Sequence, residues 1–179
     1  MRKINLVCIV FCISFGSFGQ KATPKFNLTT KGVEPIVFEL DTLTTPVIYS
    51  QTMNWIKHHY KESDNVLKAN VEDELIRIEG YQENAWHYKA TGKKYYFDAE
   101  YALQIEIKDN RVRLKYEPGQ FWSTKPKSRT TYTYTTFFKP NGDPTPMYAE
   151  GKKEFETSMN NLVLSWLKFL RAEKPKDDW

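Results

Sequence analysis

The sequence predicts an α+β fold: an antiparallel sheet of about five strands with two helices packed on one face. Three observations carry this expectation. Residues 46–60 and 153–171 repeat apolar side chains at helical spacing. Between them, short runs alternate apolar and polar residues, the pattern of half-buried strands. These runs come in adjacent pairs joined by turn-forming dipeptides, so neighbouring strands pair as hairpins and therefore antiparallel. One apolar stripe per helix and one apolar face per strand are buried most economically by stacking both helices on the same side of the sheet.

Each element follows from its residues. Ile36, Phe38 and Leu40 alternate with Val37 and Glu39 as a first strand. Thr44 and Thr45 suit a helix N-cap and Pro46 the first helical position, so a helix is expected from Pro46 to Tyr60. Its packed side carries Ile48, Tyr49, Thr52, Met53, Trp55, Ile56, His59 and Tyr60. A hairpin turning at Glu72-Asp73 would set Ala69 opposite Ile76 and Leu67 opposite Ile78. A longer one turning at Asp109-Asn110 would set Ile107 opposite Val112, Ile105 opposite Leu114 and Glu106 opposite Arg113. The last helix, from Lys153 to Arg171, packs through Phe155, Met159, Leu162, Val163, Trp166, Leu167, Phe169 and Leu170.

The chain begins with Arg2 and Lys3, an apolar run from Ile4 to Phe15, and Ser17-Phe18-Gly19, which together make residues 1–19 a secretory signal peptide. Val7 and Phe11, directly before Cys8 and Cys12, are too large for a lipoprotein site, which argues against lipid anchoring. Cleavage after Gly19 removes both cysteines and leaves 160 of the 179 residues, so disulfides, thiolate metal sites and cysteine nucleophiles are excluded together. It also removes Arg2 and Lys3 from 26 basic residues, leaving 24 against 22 acidic ones, a balance that does not suit a nucleic-acid partner. No later apolar run approaches the roughly 20 residues of a transmembrane segment. The expected location is the periplasm or the extracellular space.

The expected organisation is an extended lead-in over 20–35, a single domain over 36–172 with a long connection at 117–149, and a tail over 173–179. Pro118, Gly119, Pro126, Pro140, Gly142, Pro144 and Pro146 make 117–149 a connection rather than a second domain.

Three stretches carry a family resemblance: VFELDTLTTPVIYSQTMNWIKHHYK, NVLKANVEDELIRIEGY and YALQIEIKDNRVRLKYE. Over residues 36–116 the chain resembles a domain of unknown function with a TATA-box-binding-protein-like (TBP-like) fold found in secreted bacterial proteins. The resemblance implies a fold and an exported location and brings no activity, cofactor or catalytic residue with it. DNA binding does not follow either. The outward positions Gln104, Glu106, Lys108, Arg111, Arg113 and Lys115 mix both signs, whereas a groove-binding face concentrates positive charge.

Catalytic signals are weak. His58, His59 and Glu62 stand at spacings that can set two metal ligands side by side, but a third ligand is missing, and a packed His59 with a solvated His58 is the simpler expectation. Asp98 and Glu100 share a strand face, the minimum geometry for paired acid and base work, and equally suit solvent. Asp41-Thr42-Leu43 resembles an O-glycosylation tripeptide and carries no weight alone. No nucleophile elbow, phosphate loop or zinc-protease motif occurs, and no cofactor is implied.

Aromatic residues are the anomaly: 24 remain in the mature chain. Those in the long connection are flanked by Lys125, Lys127 and Arg129, and Phe121, Trp122, Tyr132 and Tyr134 are the candidate partner-binding residues. Trp86, His87 and Tyr88 form a candidate ligand pocket, against the simpler expectation of a hairpin held by aromatic cross-strand pairs with Tyr95-Tyr96-Phe97. In RTTYTYTTFF, residues 129–138, alternation predicts an added edge strand with Tyr132, Tyr134 and Phe138 inward and the threonines outward; in that case the site moves to Phe121 and Trp122. The function expected is thus a non-enzymatic secreted or periplasmic interaction module for an envelope or extracellular protein. The alternatives are a small-ligand or glycan-binding protein built on the aromatic cluster, and an enzyme of unrecognised class.

Overall fold

The structure, a computed structural model, describes residues 25–40, 42–109, 111–124 and 131–172. Residues 1–24, where the signal peptide is expected, Asp41, Asn110 and residues 125–130 and 173–179 lie outside the described residues.

Among the described residues, eight strands and three helices follow in the order β1 (Leu28–Thr29), β2 (Gly32–Val33), β3 (Ile36–Glu39), α1 (Thr45–His59), α2 (Ser63–Val66), β4 (Leu67–Val71), β5 (Leu75–Ala90), β6 (Lys93–Lys108), β7 (Arg111–Ser123), β8 (Thr131–Tyr132) and α3 (Ala149–Arg171). Short 3-10 turns at Tyr134–Phe137 and Pro146–Tyr148 lead into α3. The main sheet is antiparallel with spatial order β3-β7-β6-β5-β4, and β8 adds to β7. Both long helices cover one face, as the apolar patterns predict.

The register of β6 on β7 is the one expected, with Ile107 opposite Val112, Ile105 opposite Leu114 and Glu106 opposite Arg113. That of β4 on β5 differs. The turn takes three residues, with Asp73 at positive φ and Glu74 N–H bonded to the Val71 carbonyl at 3.1 Å. Ala69 therefore faces Arg77, and a bulge at Lys68 restores Leu67 opposite Ile78.

Two further bulges bend the sheet. Between Gln82 and Trp86 the β5 strand carries extra residues opposite Asp98, and between Pro118 and Phe121 the β7 strand carries an extra residue opposite Glu100. Both flank the same short segment of β6, so the sheet folds across one line. On one side of it, Ile76, Ile78, Leu103, Ile105, Val112 and Leu114 meet α1 and the end of α3 in an aliphatic core. On the other, Trp86, Phe97, Phe121 and Phe137 meet Phe155 of α3 in an aromatic one.

A buried polar chain joins the helices: the Trp166 indole donates to Thr52 Oγ1 at 3.0 Å, and that hydroxyl donates to the Ile48 carbonyl at 2.7 Å.

The lead-in is not a loose extension where it is described. Phe26 and Leu28 are buried and β1 pairs with β2. Asn160 of α3 holds the Phe26 backbone by both its N–H and its carbonyl, at 2.8 and 3.0 Å, and Glu156 accepts the Leu28 N–H at 2.9 Å. Polar composition hid two core residues.

The connection also begins later than expected, because β7 continues through Pro118 and Gly119 to Ser123. In the stretch from Thr131, threonines 131, 133 and 135 are exposed and Tyr132, Tyr134 and Phe138 half-buried, as the alternation predicts. Hydrogen-bonded strand, however, is limited to Thr131–Tyr132, and the 3-10 turn that follows buries Phe137 instead.

Candidate functional site

The two candidate residue sets meet in the aromatic core. Trp86 is fully buried, stacked on its cross-strand partner Phe97 at 4.4 Å and met edge-on by Phe121 and Phe137 at 5.5 and 5.0 Å. Tyr88 stacks on Tyr95 at 5.1 Å. The hairpin of aromatic cross-strand pairs is therefore present, and Trp86 lines no open pocket.

Phe121 is likewise fully buried, against Trp86 and Phe155, so it is core and not a partner-binding residue. Tyr132 and Tyr134 are half-buried and pack on the core, Tyr132 beside Phe97 at 5.2 Å. Of the four expected partner residues, Trp122 alone is exposed, at 38%. Strand alternation explains the split: Phe121 and Trp122 are consecutive and point to opposite faces.

Trp122 has neighbours that the sequence did not reveal. It sits opposite Asp98, and Tyr96 is two residues along the same strand and on the same face. Asp98 accepts the Tyr81 hydroxyl at 2.6 Å and the Asn84 N–H at 2.7 Å. Asn84, at positive φ, is part of the β5 bulge, so the bulge aims its own N–H at this carboxylate. Burial, then the bond to Asp98, holds the Tyr81 hydroxyl far above its ordinary pKa, so it is a neutral donor. Asp98 is engaged in this way, whereas Glu100 is exposed.

The remainder of the open face is charged. Arg77 donates to Glu117 at 2.8 Å, and Glu106 accepts bonds from Arg113 and from Gln104 and pairs with Lys115. Both signs of charge thus alternate across this face.

His87 forms a second constellation. Paired with Tyr96, it points away from the Trp86 side, and it lies at the outer edge of β5, where no described strand pairs beyond Ile78. The start of α3 covers this edge. Gly151 makes the approach possible, since a Cβ there would stand 2.6 Å from the His87 carbonyl oxygen and 2.7 Å from the Trp86 ring. One carboxylate oxygen of Glu154 then accepts both the His87 backbone N–H at 3.0 Å and its Nδ1–H at 2.6 Å. His87 Nε2 is buried, has no hydrogen-bond partner, and is 3.8 Å from Glu150 Oε1. Glu150 is held below the usual carboxylate range by the hydrogen bond from Lys89 and its charge. The group opens into a cleft of about 670 Å³ shared with Lys94, Tyr96 and Ser158.

At the helix surface the earlier histidine candidates do not assemble a ligand set. His58 Nδ1 bonds the Asn54 carbonyl at 2.7 Å, and Glu62 accepts from Asn65. His59 stacks on Trp55 at 4.9 Å but is exposed rather than packed in the core, and its partial burial lowers its pKa.

An antiparallel sheet with helices on one face and an open, charged opposite face defines an α+β domain of TBP-like architecture. The model of the family described as domain of unknown function (DUF4468) with TBP-like fold matches residues 36–122. Its structure is similar to a DUF4468 family protein from Bacteroides ovatus ATCC 8483, with a TM-score of 0.58 and 13% identity over 87% of this chain and 95% of that one. It is also similar to a TBP-like protein from Parabacteroides distasonis ATCC 8503, with a TM-score of 0.54 and 16% identity over 79% and 93% of the two chains. At such identities the likeness is one of fold. No curated protein matches the sequence. Among the described residues no helix is long and apolar enough to cross a membrane.

Proposed function

We propose that this protein is a non-enzymatic interaction module, exported to the periplasm or beyond the cell, that docks a protein partner through the open face of the bent half of its sheet. The observation that carries the reading is where its exposed aromatic side chains stand. Among the described residues there are three, Tyr81, Tyr96 and Trp122, and all three surround Asp98 on that face. Exposed Trp and Tyr with a charged rim, here Arg77, Glu79 and Glu100, match the composition of protein–protein hot spots. Export rests on the leader pattern of residues 1–19. A glycan is the second reading, favoured by a carboxylate that keeps lone pairs free between aromatic rings.

The test is capture of a partner from the envelope fraction of the source cell by immobilised protein, comparing the native chain with a Tyr96→Ala/Trp122→Ala variant. Loss of a specific protein with the variant, at unchanged folding, supports the reading. Retention removes the platform as the site, and binding of a saccharide panel that these same substitutions abolish transfers it to the glycan reading.

A further inference from the structure

We propose that His87, Glu150 and Glu154 form a binding site for a divalent transition-metal ion, with the cation held between His87 Nε2 and the Glu150 carboxylate and the ring aimed by Glu154. The three residues each offer a ligand atom within 4.8 Å of the others. What separates this cluster from ordinary surface acids is the imidazole. Its side chain is 5% exposed, its Nδ1–H is committed to Glu154 at 2.6 Å, and its Nε2 is buried without a partner.

A buried ring nitrogen without a hydrogen-bond partner is costly unless something fills the position beside it. Because an ionised carboxylate can only accept, Glu154 takes the Nδ1–H, and Nε2 is the ring nitrogen left 3.8 Å from Glu150, where a cation would take the place of any proton on it. Carboxylate, histidine and cation in a row is the arrangement by which proteins orient and strengthen an imidazole ligand. The spacing agrees with it. Bonds of about 2.0–2.2 Å from the cation to nitrogen and to carboxylate oxygen span the 3.8 Å between Nε2 and Glu150 Oε1 with a bent N–metal–O angle. Mixed imidazole and carboxylate donors select zinc-like ions over calcium or magnesium. Glu150 is on the first turn of α3 and 57% exposed, which gives an ion a route in. Water completes the coordination from the cleft.

Three ammonium groups oppose the cation. Lys89 holds Glu150 at 3.1 Å, and Lys94 and Lys153 line the same cleft. The site should therefore be modest in affinity, and removing Lys89 should improve it, whereas removing a generic surface lysine should not.

The experiment is calorimetric titration of the purified protein with zinc chloride, with His87 followed by NMR of its ring nitrogens. The expected result is one ion per chain, with the Nε2 resonance shifted. His87→Gln abolishes binding, Glu150→Gln weakens it by at least about tenfold, the loss that removing even an outer hydrogen-bonding partner of a ligand causes, and Lys89→Gln tightens it several-fold. Because Glu150 and Lys89 are surface residues, their variants keep the test valid if His87→Gln fails to fold. Absence of zinc binding overturns the proposal. So does binding that Glu150→Gln leaves unchanged or that His58→Gln and His59→Gln remove.

Discussion

One oxygen of Glu154 receives two donors from His87, the backbone N–H at 3.0 Å and the ring Nδ1–H at 2.6 Å. The residues are 67 positions apart, and together they fasten the start of α3 to the unpaired edge of β5. An open strand edge invites pairing with another chain, and here a helix and its carboxylate close it. Replacing Glu154 by Ala leaves both donors unsatisfied and should cost about 1–3 kcal/mol. Hydrogen exchange reads the effect locally: the His87 amide should lose protection while the amides of Ile105 and Leu114 keep theirs.

Gly151 sets how closely that helix approaches. Gly151→Ala brings a methyl to 2.6 Å from the His87 carbonyl oxygen and should destabilise by about 1–3 kcal/mol through overpacking. Urea denaturation measures it, and the loss should not add to that of Glu154→Ala, because both act on one contact.

Between the helices, the Trp166 indole depends on the Thr52 hydroxyl. Thr52→Val keeps the volume and strands a buried N–H, so a loss of about 1–3 kcal/mol is expected. A chemical-denaturation midpoint that does not move would contradict the buried chain of bonds.

Acid should weaken the open face. Burial raises the pKa of Glu106, but hydrogen bonds from Lys115, Arg113 and Gln104 outweigh it, and the net shift is downward. A depressed carboxyl contributes stability that is complete above its unfolded pKa, about 4.3, and is lost as pH falls through the lower folded value. Stability should therefore be insensitive to Glu106 titration near neutrality and drop below about pH 4.5. Glu106→Gln should flatten that acid limb.

Much of the frame was legible because simple periods govern it. Alternation plus the Asp109 turn fixes the β6–β7 register, and the helical stripes name nearly all of the packed residues of α1 and α3. Legibility failed wherever one residue broke the period. A three-residue turn shifted β4, and the extra residues at 83–85 and 119–120 bent the sheet and carried Tyr81 and Tyr96 to Trp122. Phe26 and Leu28 were missed because their burial depends on Asn160 and Glu156, far away in the chain. The same distance concealed the His87–Glu154 contact. Trp122 was found from composition, whereas Phe121 beside it was core, a distinction that depends on which face each presents.

The surface around Asp98 is proposed as the place where a partner docks. Photo-crosslinking tests it most directly, with a photoreactive residue placed in turn at Tyr81, Tyr96 and Trp122 and, as controls, at Lys57 and Lys108. The three platform positions should capture the same envelope protein and the controls should not. Capture at Lys57 or Lys108 with none at the platform would contradict it.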